Sequence, residues 1–110
     1  MEKMLADKLE KLLRSCLGIE LEIHSKLSKD RRTRYATLNI IQDSITNHKL
    51  LMEAVEQDRK VRLLMQKSQE SDINILAALQ KYPDYRRRLS PRIQELRALV
   101  LTQLGDQRCK

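Results

Sequence analysis

No glycine or proline occurs between Gly18 and Pro83. A stretch that long without either residue lacks the turn chemistry that strands need at every reversal. Strands also favour β-branched and aromatic side chains. The 110 residues include three Tyr, no Phe and no Trp. All-β and α/β folds are thereby excluded. A Gly-rich phosphate-binding loop is excluded too, because Gly18 and Gly105 are the only glycines. What remains is an all-α chain of one domain's size, rich in Leu, Lys, Arg, Glu and Gln.

The apolar residues recur at helical spacing. Leu5, Leu9, Leu12, Cys16, Ile19, Ile23 and Leu27 alternate steps of three and four, and Leu13, Leu17 and Leu21 widen the stripe to a bundle face. This predicts a first helix over about 2–28. Gly18 inside it either permits a close approach or is merely tolerated. Ser28 or Asp30 could cap a second helix. A second seam follows as Leu38, Ile41, Ile45, His48, Met52, Val55 and Arg59, predicting a helix over about 31–67. The polar run Ser68-Gln69-Glu70-Ser71-Asp72 reads as its break. Ile73, Leu76, Ala77 and Leu79 then continue a stripe over about 72–82. Pro83 stops that helix. Ser90 as N-cap and Pro91 in the first helical position start the last one, at about 90–104, which Gly105 ends. The expected architecture is a single helical domain over 1–110. It is an antiparallel hairpin of two long helices with a shorter C-terminal helix, together a three- to four-helix bundle. Leu9, Leu12, Ile45 and Val55 are expected core residues.

Charge is unevenly spread. Residues 61–110 carry 10 basic and 5 acidic side chains, against 12 and 10 in residues 1–60, and the whole chain is +7. The excess is densest at Arg86, Arg87 and Arg88, with Arg92 and Arg97 beyond. Such a cluster can steer an acidic partner toward the protein. Cys16 and Cys109 are too few and too far apart for a disulfide framework or a zinc site. Met1-Glu2-Lys3-Met4 opens directly into the amphipathic pattern without a signal-peptide signature. No apolar run approaches the ~20 residues of a membrane span. A cytoplasmic protein is expected.

The chemistry-bearing residues are sparse. His24 and His48 are the only histidines, and no Glu-x-x-His pair of the di-iron bundle kind is present. His48 reads as a polar seam residue that sets register. Ser and Cys nucleophiles lack a histidine partner and a strained turn to present them. No catalytic residue, metal site or cofactor is expected, and the protein is read as non-enzymatic. Met1, Met4, Met52 and Met65 read as ordinary core filling.

The stretch from Ala36 to Leu64 has a distinctive order. It contains Ala36-Thr37-Leu38, Asp43-Ser44-Ile45, His48-Lys49-Leu50-Leu51-Met52, Val55-Glu56 and Arg59. Upstream stand Leu12-Leu13 and Ile19-Glu20-Leu21-Glu22. Over about residues 12–64 this resembles the flagellar export chaperones of the FlgN type. The resemblance implies a cytosolic helical chaperone that keeps late export substrates soluble and delivers them to a type III export apparatus. It places cargo along the C-terminal helical portion.

The expected function is therefore that of a small chaperone or adaptor binding a partner protein's helix in an apolar groove. Leu76, Leu79, Ile93, Leu96, Val100 and Leu104 are the expected docking residues. The last helix, bracketed by Pro83 and Pro91, is expected to be the detachable, partner-engaging element. Arg86, Arg87, Arg88, Arg92 and Arg97 would steer the encounter. Two rival readings stay open: a homodimeric coiled-coil scaffold, and a basic helical nucleic-acid-binding protein.

Overall fold

Amphipathic helices must bury their apolar stripes against one another, and here four of them do so. The computed structural model describes the backbone of residues 3–57 and 61–108 and the side chains of 3–57 and 61–102. Among the described residues the fold is all-α. Helix α1 spans Lys3–Ser28, α2 Tyr35–Gln57, α3 Val61–Ala78 and α4 Pro83–Arg108, with one 3-10 turn at Leu79–Lys81. Helix α1 packs on α2 and α4, and α3 packs on the same two helices.

The core shows how the helices run. One cluster joins Leu9 and Leu13 near the start of α1, Leu51 and Ala54 near the end of α2, Val61 and Met65 at the start of α3, and Leu96 and Val100 on α4. A second joins Leu17, Ile23 and Leu27 with Ile41 and Ile45, Ile75 and Leu79, and Leu89 and Ile93. Successive helices thus alternate in direction, giving an up-down-up-down bundle 49 Å long and 23 by 19 Å across.

The first helix lies where its periodicity places it, and its stripe is rotated slightly from the expected seam. Leu9, Leu13, Cys16, Leu17, Glu20, Ile23 and Leu27 are buried, whereas Leu12 and Ile19 are half-buried. On α2, Ile45 is buried and Val55 is half-buried. A Cβ added at Gly18 would meet nothing within 4 Å, so that glycine is tolerated and serves no close helix approach.

Several expected boundaries are corrected. The helix expected over 31–67 is two helices. Residues 30–33 form a turn in which the Asp30 Oδ1 accepts the Arg32 backbone N–H at 2.9 Å and the Asp30 carbonyl accepts from Thr33 at 3.1 Å. Asp30 thus closes a turn and does not cap α2. At the far end α2 stops at Gln57, and α3 begins at Val61. No glycine or proline marks this reversal. It follows because Val61 and Met65 can be buried only by folding back onto Leu51 and Ala54.

The run Ser68–Asp72, expected as the break between helices at 67 and 72, lies inside α3 with Ser68, Ser71 and Asp72 facing inward. Finally, α4 does not start at Ser90. Pro83 takes its first position, where a missing N–H costs nothing, and Asp84 lies in its first turn. Pro91 lies within α4. It forfeits one helical hydrogen bond, and Leu89, Ile93, Leu96 and Val100 on one buried line hold the helix across it. Gly105 does not end α4, which runs to Arg108. The two prolines therefore bracket no linker. Arg59, Cys109 and Met1 lie outside the described residues.

The rotated stripe on α1 has a measurable consequence. Leu13 is fully buried, so Leu13→Ala should cost roughly 2–5 kcal/mol in chemical denaturation, and Leu12→Ala about half as much or less. Equal losses at the two positions would place the stripe back on the expected seam.

Candidate functional site

A polar layer crosses the middle of the bundle, between the two apolar clusters. Helix α1 contributes Glu20, α2 contributes Ser44 and His48, and α3 contributes Ser68, Ser71 and Asp72, all buried. Each lies on the inward line of its helix. His48 is the centre. Its Nδ1 lies 2.6 Å from Glu20 Oε1 and its Nε2 3.0 Å from Asp72 Oδ1. One imidazole therefore bridges three helices. Ser44 Oγ donates to the other oxygen of Glu20, and Asn47 Nδ2 donates to Ser71 Oγ alongside. His48 and Glu20 have no exposed surface.

With an ionised carboxylate on each nitrogen, the ring donates from both, which is the geometry of an imidazolium. Burial alone would push its pKa down. The hydrogen bonds to Asp72 and Glu20, and the charges behind them, outweigh burial and raise it from 6.5 to about 9. One cation between two carboxyls leaves surplus negative character. Asp72 absorbs it: burial pushes its carboxyl above the usual range even though His48 pulls the other way. Its Oδ2, like Ser68 Oγ, is buried without a hydrogen-bond partner. Cys16, next to this layer, is raised to about 12, first by burial and then by Glu20 and Asp72. Its thiol is held in the unreactive form.

Chemically the layer can hold a proton and a buried charge. It cannot present them, because Glu20 and His48 are sealed and Asp72 nearly so. It acts as a latch among α1, α2 and α3. Among the described residues no group of three or more His, Cys, Asp or Glu side chains has metal-holding geometry.

Two hollows lie on the surface of the described residues. Helices α1 and α4 flank a mostly apolar groove of about 460 Å³, lined by Lys8, Lys11, Leu12, Glu95, Ala98, Leu99 and Thr102. A smaller hollow of about 340 Å³ at the start of α4 is lined by Gln80, Pro83, Arg86, Arg87 and Ser90.

The expected docking residues are placed differently from the expectation. Leu79, Ile93, Leu96 and Val100 have no exposed surface and belong to the two core clusters. Leu76 is half-buried against the second cluster. The side chain of Leu104 lies outside the described residues. The stripe of α4 is thus spent on the bundle, and only its flank, at Ala98, Leu99 and Thr102, reaches the groove. The basic cluster is also divided. Arg88 donates to both oxygens of Glu22 at 3.0 and 2.8 Å, tying α4 to α1. Arg88 and Lys26 beside Glu22 hold that carboxyl below its usual range. Arg87 is paired with Asp84, and Arg92 lies 3.9 Å from Glu95. Arg97 is half-buried, on the side of α4 that acts electrostatically on Asp72.

The sequence marked His48 as polar on an apolar seam, but not its partners. Glu20 was visible as a carboxylate at the step between Cys16 and Ile23. Ser68 and Asp72, spaced four apart, were the matching signal on α3.

The raised value of His48 makes stability depend on pH. A group whose folded pKa exceeds its unfolded one stabilises fully below the unfolded value and ceases to do so as pH rises through the folded one. The His48 contribution is therefore complete below about pH 6.5 and lost by about pH 9, a difference on the order of 3 kcal/mol. The raised Asp72 value acts in the same direction. Stability measured by denaturant should fall between pH 6.5 and 9, and His48→Gln should be less stable at pH 6.5 and flat across that window. A wild-type curve as flat as the variant's would refute the charged latch.

No protein-family model, no curated protein and no solved structure matches this chain.

Proposed function

We propose that this chain is a small non-enzymatic helical adaptor that receives one amphipathic helix of a partner protein in the groove between α1 and α4. The observation that carries it is the groove itself. Leu12, Ala98 and Leu99 make an apolar floor, and Lys8 and Lys11 rim one side. A partner helix would lay apolar residues at i, i+3, i+4 and i+7 into such a floor. Lys8 and Lys11 take part in no ion pair among the described residues. They select a partner with acidic residues beside its apolar stripe, and the overall +7 charge favours the same encounter.

The resemblance to FlgN-type chaperones gives the proposal a finer form. The partner helix would then belong to an export cargo held in the cytoplasm until delivery. Docking on α4 agrees with cargo lying along the C-terminal portion. The nucleic-acid alternative draws less support, because Arg87 and Arg88 already face Asp84 and Glu22.

The test is co-purification from the native cell with tagged chain. Leu99→Glu should abolish partner recovery while changing unfolding free energy by less than about 1.5 kcal/mol, since Leu99 is only half-buried. Lys8→Glu with Lys11→Glu should weaken recovery most at low salt. Unchanged recovery with Leu99→Glu would refute the groove as the site. A wild-type dimer in sedimentation that Leu99→Glu converts to monomer would assign the groove to a second copy instead.

A further inference from the structure

The hollow at the start of α4 is separate from the groove and from the buried latch. It contains a serine whose surroundings have no role in the proposed adaptor function. The local sequence is Arg86-Arg87-Arg88-Leu89-Ser90-Pro91. Three guanidinium groups thus stand four, three and two positions before a hydroxyl. On α4, Arg86 and Arg87 precede Ser90 by four and three residues, so all three lie on one face. They line the same hollow, completed by Gln80 and Pro83. The Ser90 hydroxyl makes no hydrogen bond among the described residues. Thr102 on the same helix, in contrast, donates back to the Ala98 carbonyl at 2.9 Å. Arg86 is in no ion pair among the described residues, and Arg87 uses one of its donors on Asp84.

We propose that Ser90 is the acceptor for a basophilic serine kinase, and that Arg86 and Arg87 hold the phosphoryl group once it is attached. In the transfer, Ser90 Oγ bonds to the γ-phosphorus of a nucleoside triphosphate. The bond from that phosphorus to its β,γ-bridging oxygen breaks, the hydroxyl proton passes to the kinase's base, and the nucleoside diphosphate leaves. The upstream arginines supply what an acidic substrate cleft recognises. Arg88 reaches that cleft only after leaving its exposed pair with Glu22.

A kinase needs the segment extended, so the first turns of α4 must unwind for transfer. Pro91 has no N–H, so the Arg87 carbonyl lacks its helical donor. The two turns before Pro91 can unwind with one hydrogen bond fewer to break. Buried Leu89 must leave the core as they do, which makes transfer slower than on an unfolded segment. After transfer, about −1.5 to −2 of charge lies between Arg86 and Arg87 and forms charge-assisted hydrogen bonds with them.

The experiment treats the full chain with magnesium-ATP and the catalytic subunit of the cyclic-AMP-dependent kinase. Intact mass and fragmentation should find one phosphate, on Ser90. Ser90→Ala should take up none while keeping its helical circular dichroism. Arg87→Gln with Arg88→Gln should slow uptake by roughly tenfold or more. No uptake by the wild type, or equal uptake by Ser90→Ala, overturns the proposal. For the phosphate clamp, ³¹P titration of the phosphorylated chain should give a lower second ionisation than the same chain with Arg86→Gln. Equal values overturn the clamp.

Discussion

The bundle depends on one buried hydrogen-bonded bridge, Glu20–His48–Asp72. Each of its members comes from a different helix, and each lies on that helix's buried line. Removing three polar groups from water costs several kcal/mol, and their mutual attraction repays this only when the geometry is right. The bridge therefore contributes less to total stability than to the choice among arrangements. Sliding α2 by one turn against α1 would move His48 off the layer and take its ring donors from both carboxyls. Only one register satisfies all three helices.

That register orders the rest. With the polar layer fixed, the core divides into two apolar clusters of different membership, one at each end of the bundle. Helix α4 contributes Leu89 and Ile93 to one and Leu96 and Val100 to the other, spanning the layer without adding a buried polar group. Its position is set instead by apolar burial and by the surface pair of Arg88 with Glu22. The fourth helix closes over a latch made by the first three. What it leaves uncovered is the groove beside α1, which is where the proposed partner helix fits.

The all-α fold was legible from the absence of turn and strand residues, and α1 was legible almost to the residue. The reversal between α2 and α3 was not, because no glycine or proline announces it. It is imposed by burial of Val61 and Met65, which is visible only once the helices are packed. Ser68–Asp72 was misleading for a related reason. A polar run ordinarily faces solvent, and the three buried polar residues within it are inward only because His48 awaits them. The prolines misled in the opposite way: Pro91 resembles a helix start, yet the line of Leu89, Ile93, Leu96 and Val100 carries the helix through it. That same burial removed Leu79, Ile93, Leu96 and Val100 from the set of residues able to meet a partner. An apolar stripe in a sequence does not say whether its own chain or another will cover it.

The most direct measurement is of the His48 ring itself, by ¹⁵N NMR of its two nitrogens across pH 5 to 10. If the charged bridge holds the bundle together, both nitrogens carry protons at neutral pH and the ring titrates near about 9. A ring that is neutral at pH 7.5, with one nitrogen unprotonated, would contradict the account, because the bridge would then be held by a neutral imidazole and not by a cation.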